Sequence, residues 1–226
     1  MKTLKKNSRV DLAKVVGSLL SEVVNTIIPD RKADRLTKYV IELEEHLVYL
    51  DQNKLSYKIQ NEQYIALLED GYIQASRAMT DTRRSYIASV VAIGLNGTEI
   101  EANLSVYILG LLSELNDIEI IWLRYFLYQT VNDDEEFREK HSDIIYADSK
   151  EFESDEQWKE HMALEASYRE HLERLGLIES HINIDTETDM PVFDTLTGKP
   201  EITYQTITTL GLMLLRHVGL SESEYD

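Results

Sequence analysis

The stretch that decides the fold class is NGTEIEANLSVYILGLLSELND, residues 96–117. It opens with Asn96-Gly97, a strong turn sequence, and Thr98 and Glu101 have the spacing of a capping box, in which two residues satisfy backbone N–H groups at a helix start. Large apolar residues then recur every three or four positions, as on one face of a helix. Asn116-Asp117 interrupts this rhythm and begins another apolar segment. The stretch therefore predicts two successive helices separated by a short turn.

Helical spacing continues on the N-terminal side of this stretch. Thr80-Asp81 predicts the cap of a helix that reaches Leu95, and Asp30 predicts the cap of a helix with leucines at helical spacing up to Leu50. Pro29 separates that helix from an earlier one. The earlier helix carries a regular apolar stripe, which makes it a candidate interaction helix with these residues on one face: Leu12, Val16, Leu19, Leu20, Val23 and Ile27.

The texture of the sequence changes after the central apolar helices. Residues 133–157 are rich in Asp and Glu and poor in large apolar side chains, so we expect an exposed acidic connector. A helix is predicted over 158–175, with Gly176 as its left-handed C-cap. Short alternating runs between 177 and 204 predict an antiparallel hairpin or three-stranded sheet, and a last helix is predicted over 206–218. This order of helix, strands and helix is typical of a winged helix.

Together these patterns predict a mainly α protein, with an N-terminal helical domain followed by a small α+β winged-helix-like domain. The helical bundle domain is assigned to residues 1–132, the acidic connector to 133–157 and the winged-helix-like domain to 158–226. The length of 226 residues is sufficient for two domains of ordinary size.

The sequence contains no recognisable catalytic or metal-binding motif. Cysteine is absent, which excludes disulfides, thiolate metal sites and a thiol nucleophile. None of the six histidines has an acidic residue three positions earlier, and no two lie three to five residues apart, so helical di-iron and zinc spacings are missing. Glycine motifs for phosphate binding or a nucleophile elbow are missing too, and we therefore expect a non-enzymatic protein without a cofactor. No signal peptide or membrane-spanning block is predicted, which favours the cytoplasm.

Charge is distributed unevenly along the chain. Residues 1–38 hold nine Lys or Arg and four Asp or Glu, a net charge of +5; the whole chain carries −18, so residues 39–226 carry −23. Such acidity disfavours general nucleic-acid binding, because phosphates are neutralised by clustered basic side chains. Contact with an anionic surface would use the basic residues near the N-terminus: Lys2, Lys5, Lys6, Arg9, Lys14, Arg31, Lys32 and Arg35.

Two interpretations of the N-terminal residues stay open. The basic residues form either a solvated tail, as charged termini commonly do, or a contact to an anionic surface. The apolar stripe either packs within the protein's own bundle or a dimer, or lies as an amphipathic anchor on a membrane surface. Charged termini are usually solvated and apolar helix stripes usually belong to a core, which favours the solvated tail and the packed helix.

Six short segments have distinctive sequences and follow one another in a fixed order along the chain. They are Ile27-Ile-Pro-Asp-Arg-Lys-Ala-Asp-Arg35, Leu67-Leu-Glu-Asp-Gly-Tyr72, Arg83-Arg-Ser-Tyr-Ile-Ala-Ser-Val-Val91, Leu112-Ser-Glu-Leu-Asn-Asp-Ile-Glu119, Leu172-Glu-Arg-Leu-Gly-Leu-Ile178 and Thr208-Thr-Leu-Gly211. In order and texture the chain resembles uncharacterised bacterial helical proteins related to the Abi-alpha abortive-infection family. The resemblance covers most of residues 10–219 and includes no invariant catalytic motif. It implies an α-rich N-terminal region, a winged-helix-like C-terminus and a place in phage defence, and it brings no active-site residues to this chain.

The favoured hypothesis is a non-enzymatic bacterial protein that assembles with itself or with a protein partner, within defence against phage. One alternative is a transcriptional regulator that binds DNA through the winged helix, although the predicted helix at 158–175 presents more acidic than basic residues. The other alternative is a membrane-active effector that uses the N-terminal helix at a membrane surface.

Overall fold

The computed structural model describes residues 30–47, 52–58, 60–127, 134–146, 155–195 and 198–221. Most of these residues are helical, and the strands of this part of the chain fall between 178 and 207. The prediction of a mainly α chain with a small C-terminal α+β part is thereby confirmed. The predicted interaction helix at 10–28 lies outside the described residues.

Contacts group the described chain into two compact units. The first contains the residues up to Glu114 together with His217–Gly219, and the second contains Leu115–Arg216 and the residues from Leu220 onward. The sequence interpretation ended the helical domain at residue 132, whereas the contacts assign the helix after Leu115 to the second unit. That helix packs on a later helix and on a strand of the C-terminal region, and neither contact is visible in local sequence.

The described residues of the first unit form five helices: α1 (Asp30–His46), α2 (Gln52–Lys58), α3 (Glu62–Arg77), α4 (Asp81–Asn96) and α5 (Glu99–Glu114). Helix α4 packs against α1, α3 and α5 and therefore lies at the centre of the unit. The core of the first unit consists of apolar residues at helical spacing that are fully buried: Leu43, Leu55, Leu67, Ile87, Val91, Leu95, Ile108 and Leu112. Burial of this apolar area, at about 25 cal/mol per Å², is the main favourable term that holds the helices together.

Side-chain caps fix where α3 and α4 begin. The Asn61 side chain accepts a hydrogen bond from the Gln63 N–H at 3.0 Å and starts α3. Thr80 accepts from the Arg83 N–H at 3.0 Å at the start of α4, which confirms the cap predicted there. A new helix starts after Asn61, because its side chain offers the backbone an alternative to a continuous helix.

The capping box predicted at Thr98 and Glu101 is present at the start of α5. Glu101 Oε2 accepts from the Thr98 N–H at 2.6 Å and from the Thr98 hydroxyl at 2.9 Å, and Thr98 Oγ1 accepts from the Glu101 N–H at 3.4 Å. The backbone N–H of Thr98 is the main cause that holds the pKa of Glu101 below its ordinary value, and the Thr98 hydroxyl is the second.

Replacing Thr98 by alanine is expected to lower the free energy of unfolding by about 1 kcal/mol at neutral pH, as other lost N-caps do. Because the pKa of Glu101 is lower in the folded chain than in the unfolded chain, its contribution is present above its ordinary pKa and is lost as the pH falls through the folded value. The deficit of Thr98→Ala should therefore shrink as the pH falls below about 4.3. Urea unfolding at several pH values measures it, with Ser113→Ala, which removes an exposed hydroxyl from the same helix, as control. An equal deficit in acid and at neutral pH would contradict this account.

The helices of the second unit are α6 (Asp117–Leu127), α7 (Glu135–Lys140), α8 (Ser142–Ile145), α9 (Asp155–Arg174) and α10 (Thr209–His217). Helices α7 and α8 lie in the stretch that the sequence interpretation assigned to an exposed acidic connector. Ile145 of α8 is buried, and Arg124 of α6 forms an ion pair with Asp134 at 3.2 Å. The described part of the connector is therefore helical and tied to α6.

Helix α9 ends with the left-handed cap predicted at Gly176, where φ is 71°. The Leu177 N–H donates to the Leu172 carbonyl at 3.0 Å, and the Gly176 N–H donates to the Glu173 carbonyl at 2.8 Å, which are the two bonds of a Schellman motif. Leu172 and Leu177 are both fully buried, so the apolar contact that usually accompanies this motif has its two residues in the core.

Four short strands separate α9 from α10: β1 (Ile178–Ile182), β2 (Ile184–Asp185), β3 (Met190–Pro191) and β4 (Ile202–Ile207). Strand β1 pairs antiparallel with β4, and β2 pairs antiparallel with β3. Backbone hydrogen bonds join the two pairs, because the Asn183 N–H donates to the Glu201 carbonyl at 2.7 Å and the Val192 N–H donates to the Asn183 carbonyl at 2.9 Å. The predicted hairpin or three-stranded sheet is thus two connected antiparallel pairs.

Helix α10 begins three residues later than predicted. Strand pairing of β4 continues to Ile207, and Thr208 then caps the helix by accepting from the Gly211 N–H at 3.1 Å. The Thr208 hydroxyl donates to the Gly176 carbonyl at 2.7 Å, so the end of α9 and the start of α10 share one hydrogen-bonded junction.

Candidate functional site

Most of the sequence-predicted contact residues lie outside the described part of the chain. This applies to Lys2, Lys5, Lys6, Arg9 and Lys14, and to the stripe Leu12, Val16, Leu19, Leu20, Val23 and Ile27. Arg31 and Lys32 lie on α1, but their side chains are not among those described. Arg35 is the described member of the set, and it donates to the Ser76 carbonyl at 3.4 Å near the end of α3.

The basic first half of α1 therefore has contacts within its own unit. Besides Arg35, Lys38 forms an ion pair with Asp81 at 3.4 Å, and both side chains are largely exposed. Asp81 also accepts from the Arg84 guanidinium, which is the main cause of the lowered pKa of Asp81, with Lys38 next. Solvent screens an exposed pair of this kind, so it contributes little to stability.

A group of polar side chains is buried behind these contacts. Arg84 is 4% exposed and donates to the Ala78 carbonyl at 2.9 Å, which ties α4 to the end of α3. Burial raises the pKa of Glu42, and the nearby Arg84 opposes that rise. Burial also raises the pKa of Tyr39, which is 2% exposed. Glu42 is half-buried, and burial and the Arg84 cation act on the pKa of its carboxyl in opposite directions.

The second unit contains a buried carboxylate–imidazole pair. Glu119 Oε1 lies 2.6 Å from Nδ1 of His171, with side-chain exposures of 5% and 19%. Glu119 Oε2 accepts from the Asn116 N–H at 2.8 Å, and Asn116 Oδ1 accepts from the Glu119 N–H at 2.9 Å, so a second capping box starts α6. One glutamate therefore caps α6 and connects it to α9.

Arg169 forms a second connection between α9 and α6. Its guanidinium lies over the ring of Trp122 at 5.0 Å and over the ring of Phe126 at 5.9 Å, within the range of cation–π attraction. It also forms an ion pair with Glu165 one turn earlier on α9. The guanidinium is thus held by its own unit on two sides.

The charges of α9 bear on nucleic-acid recognition. Its sequence DEQWKEHMALEASYREHLER carries six acidic residues and three basic ones, and Arg169 is engaged with aromatic rings and Glu165. Base and phosphate contacts need basic side chains that are free to reach DNA. The described face of α9 is therefore poorly suited to DNA.

Large apolar side chains are exposed on the strands of the second unit. Between 40% and 54% of each of the following is exposed, and together they define the apolar ribbon: Ile182, Ile184, Phe193, Ile202 and Tyr204. Register pairs Ile182 with Ile202, and Phe193 bridges to Pro200, two residues before Ile202. Met190 pairs with Asp185, the neighbour of Ile184, and therefore lies on the other face. Concentrated exposed apolar groups of this kind mark interaction surfaces more often than scattered ones do.

Aromatic stacking orders one end of the apolar ribbon. The Tyr204 ring stacks on the His181 ring with centroids 4.3 Å apart and planes 16° from parallel. His181 Nε2 lies 2.9 Å from the Thr206 hydroxyl, which fixes the imidazole against β4. A half-exposed Tyr204 held in this way presents a rigid apolar surface at little conformational cost to a partner.

The segment that carries the apolar ribbon is acidic. Residues 178–207 contain six Asp or Glu and one Lys, a net charge of −5 with His181 neutral. Asp185 caps the turn after β2 by accepting from the Glu187 N–H at 2.8 Å and the Thr188 N–H at 2.9 Å, and these bonds, that of Thr188 first, lower the pKa of Asp185. This arrangement can bind an apolar surface that carries basic residues at its edge.

The sequence predicts strands in this region, but it does not predict a binding site at the ribbon residues. Apolar residues occur on both faces of such short strands, and local sequence does not say which face is covered by the rest of the fold. The acidic composition of 178–207 was the available indication that one face stays in water.

The described residues show neither a candidate metal site nor a candidate membrane span. Within them, no group of three or more His, Asp or Glu side chains is arranged to hold a metal ion. No helix in that part of the chain is both long enough and apolar enough to cross a membrane.

Comparison of the chain with protein-family models, with curated proteins and with solved structures finds no match. The resemblance to proteins related to the Abi-alpha family therefore stays a hypothesis that rests on the six segments quoted above.

Proposed function

We propose that this chain is a non-enzymatic assembly protein that binds another protein through the apolar ribbon. The observation that carries the proposal is the concentration of half-exposed Ile, Phe and Tyr side chains within residues 182–204. Burying such side chains in a partner is favourable by about 1 kcal/mol each, which is ample for a specific contact when several act together.

The test compares two triple variants of the full chain. The ribbon variant is Ile182→Thr, Phe193→Thr and Ile202→Thr, in which threonine keeps the preference for strands. The control is Ile41→Gln, Tyr57→Gln and Ile100→Gln, three exposed apolar residues on helices of the first unit. Circular dichroism and thermal unfolding verify that both variants are folded.

Association is measured by light scattering of the purified chain and by stoichiometric co-purification of a partner from its host cells. The wild type and the control are expected to associate alike, and the ribbon variant is expected to raise the dissociation constant by about 100-fold. Association of the ribbon variant equal to that of the wild type would overturn the proposal, as would a wild type that neither self-associates nor retains a partner.

The context proposed for this assembly is defence against phage, and it is supported by the resemblance alone. Cells that express the wild type are expected to restrict a phage that cells with the ribbon variant do not restrict. Equal plating of a broad phage panel on both strains and on cells without the gene would remove this context and leave the assembly proposal in place.

The DNA-binding alternative, a winged-helix regulator, is the weaker proposal because α9 is acidic and Arg169 is held by its own unit. A mobility-shift assay at low salt, where phosphate contacts are strongest, tests it with the DNA upstream of its own gene. A shift that Lys159→Ala or Arg174→Ala weakens would favour it.

A further inference from the structure

The acidic surroundings of the apolar ribbon restrict what it can bind. Two ribbons face to face would bring together two surfaces of net charge −5, and like charges opposed at a contact disfavour it. The ribbon therefore does not suit an isologous contact with itself. It suits an apolar surface with basic residues at its edge.

The chain itself contains a segment with that chemistry. Residues 1–28 hold five Lys or Arg and two Asp or Glu, a net charge of +3, in a chain whose residues 39–226 carry −23. The basic residues precede or flank the apolar stripe: Lys2, Lys5, Lys6, Arg9 and Lys14. The stripe from Leu12 to Ile27 has helical spacing, so its sequence predicts one apolar face.

We propose that the apolar ribbon of one copy binds residues 1–28 of a second copy. This inference rests on the proposed function, because it names the partner of the same ribbon. The contact is heterologous: each copy offers one ribbon and one basic segment, and the two surfaces differ. Such contacts close into rings or extend into chains according to the rotation between copies.

The experiment uses three full-length variants and light scattering. The segment variant is Lys2→Glu, Lys5→Glu and Lys6→Glu, and the ribbon variant is the Ile182, Phe193 and Ile202 triple described above. The charge control is Arg77→Glu, Lys140→Glu and Lys159→Glu, which changes the net charge of the chain equally at exposed positions elsewhere.

The wild type and the charge control are expected to self-associate, and the segment and ribbon variants are each expected to be monomeric. Mixing the segment variant with the ribbon variant should restore one contact, between the intact ribbon of the first and the intact segment of the second, and give a 1:1 dimer. Raising the salt from about 0.05 M to about 0.5 M should weaken wild-type association by about 10-fold, because exposed charges are screened.

Three outcomes would overturn the inference. A wild type that stays monomeric removes it, and the co-purification test then decides the proposed function separately. If the segment variant associates like the wild type while the ribbon variant is monomeric, residues 1–28 are not the partner of the ribbon, and the ribbon remains the binding surface. If the ribbon variant associates like the wild type, the ribbon is not the binding surface and residues 1–28 are not its partner.

Discussion

Replacing Gly211 by alanine is expected to lower the free energy of unfolding of the second unit by about 3 kcal/mol, the upper end of the cost of overpacking. A Cβ atom at this position would overlap the Leu177 carbonyl oxygen and would lie 2.7 Å from Ile207 Cγ1. Contacts this short do not occur in folded proteins, so the backbone must move.

The Leu177 carbonyl has little freedom to move away. It accepts from the Thr208 N–H at 3.0 Å and from the Thr208 hydroxyl at 3.2 Å. A shift large enough to admit the new methyl group would break these bonds at the start of α10. The junction of α9, β1 and α10 would therefore lose its hydrogen bonds as well as its packing.

Urea unfolding followed by tryptophan fluorescence measures the Gly211→Ala effect, because both tryptophans, Trp122 and Trp158, belong to the second unit. Gly110→Ala is the control, and its unfolding is followed by circular dichroism because Gly110 lies in the first unit, which has no tryptophan. It adds the same methyl group to a helix where no atom lies within 4 Å of the new Cβ. That control should gain about 0.5–1 kcal/mol from the lower chain entropy of alanine. An unchanged urea midpoint for Gly211→Ala would show that the close approach at Leu177 is relieved without cost.

Local features of this fold were predictable from the sequence because their causes are local. The caps at Thr80 and at Thr98 with Glu101 involve residues three positions apart, and the left-handed cap at Gly176 needs only the residue that tolerates positive φ. The segment Thr208-Thr-Leu-Gly211 has a structural reason in the Thr208 cap and the close contact at Gly211.

Features that depend on distant residues were not predictable. The assignment of α6 to the second unit follows from its packing on α9 and β4, which begin 38 and 85 residues after Asp117. Ligand spacing along one helix does not reveal the contact of His171, because its partner Glu119 lies 52 positions earlier in the chain. The exposure of the apolar ribbon was not predictable for the same reason, since exposure is a property of the whole fold.

Replacing Glu119 by alanine is expected to lower the free energy of unfolding of the second unit by about 3 kcal/mol. The change removes the acceptor for the Asn116 N–H and leaves His171 Nδ1 without its partner in a site where both side chains are largely buried. The lost cap accounts for about 1 kcal/mol, and the unpaired polar group on α9 accounts for the rest.

A double-mutant cycle separates these two contributions. The single changes Glu119→Ala and His171→Ala and the double variant are compared by urea unfolding, and we expect a coupling free energy of about 1–2 kcal/mol between the two side chains. Asn116→Ala reports the cap alone, with an expected loss of about 1 kcal/mol. Glu170→Ala, an exposed glutamate beside His171 on α9, is the control and should change stability by less than about 0.5 kcal/mol. If the losses of Glu119→Ala and His171→Ala add without coupling, the pair does not join α6 to α9, and the capping box alone explains why a carboxylate is buried at this position.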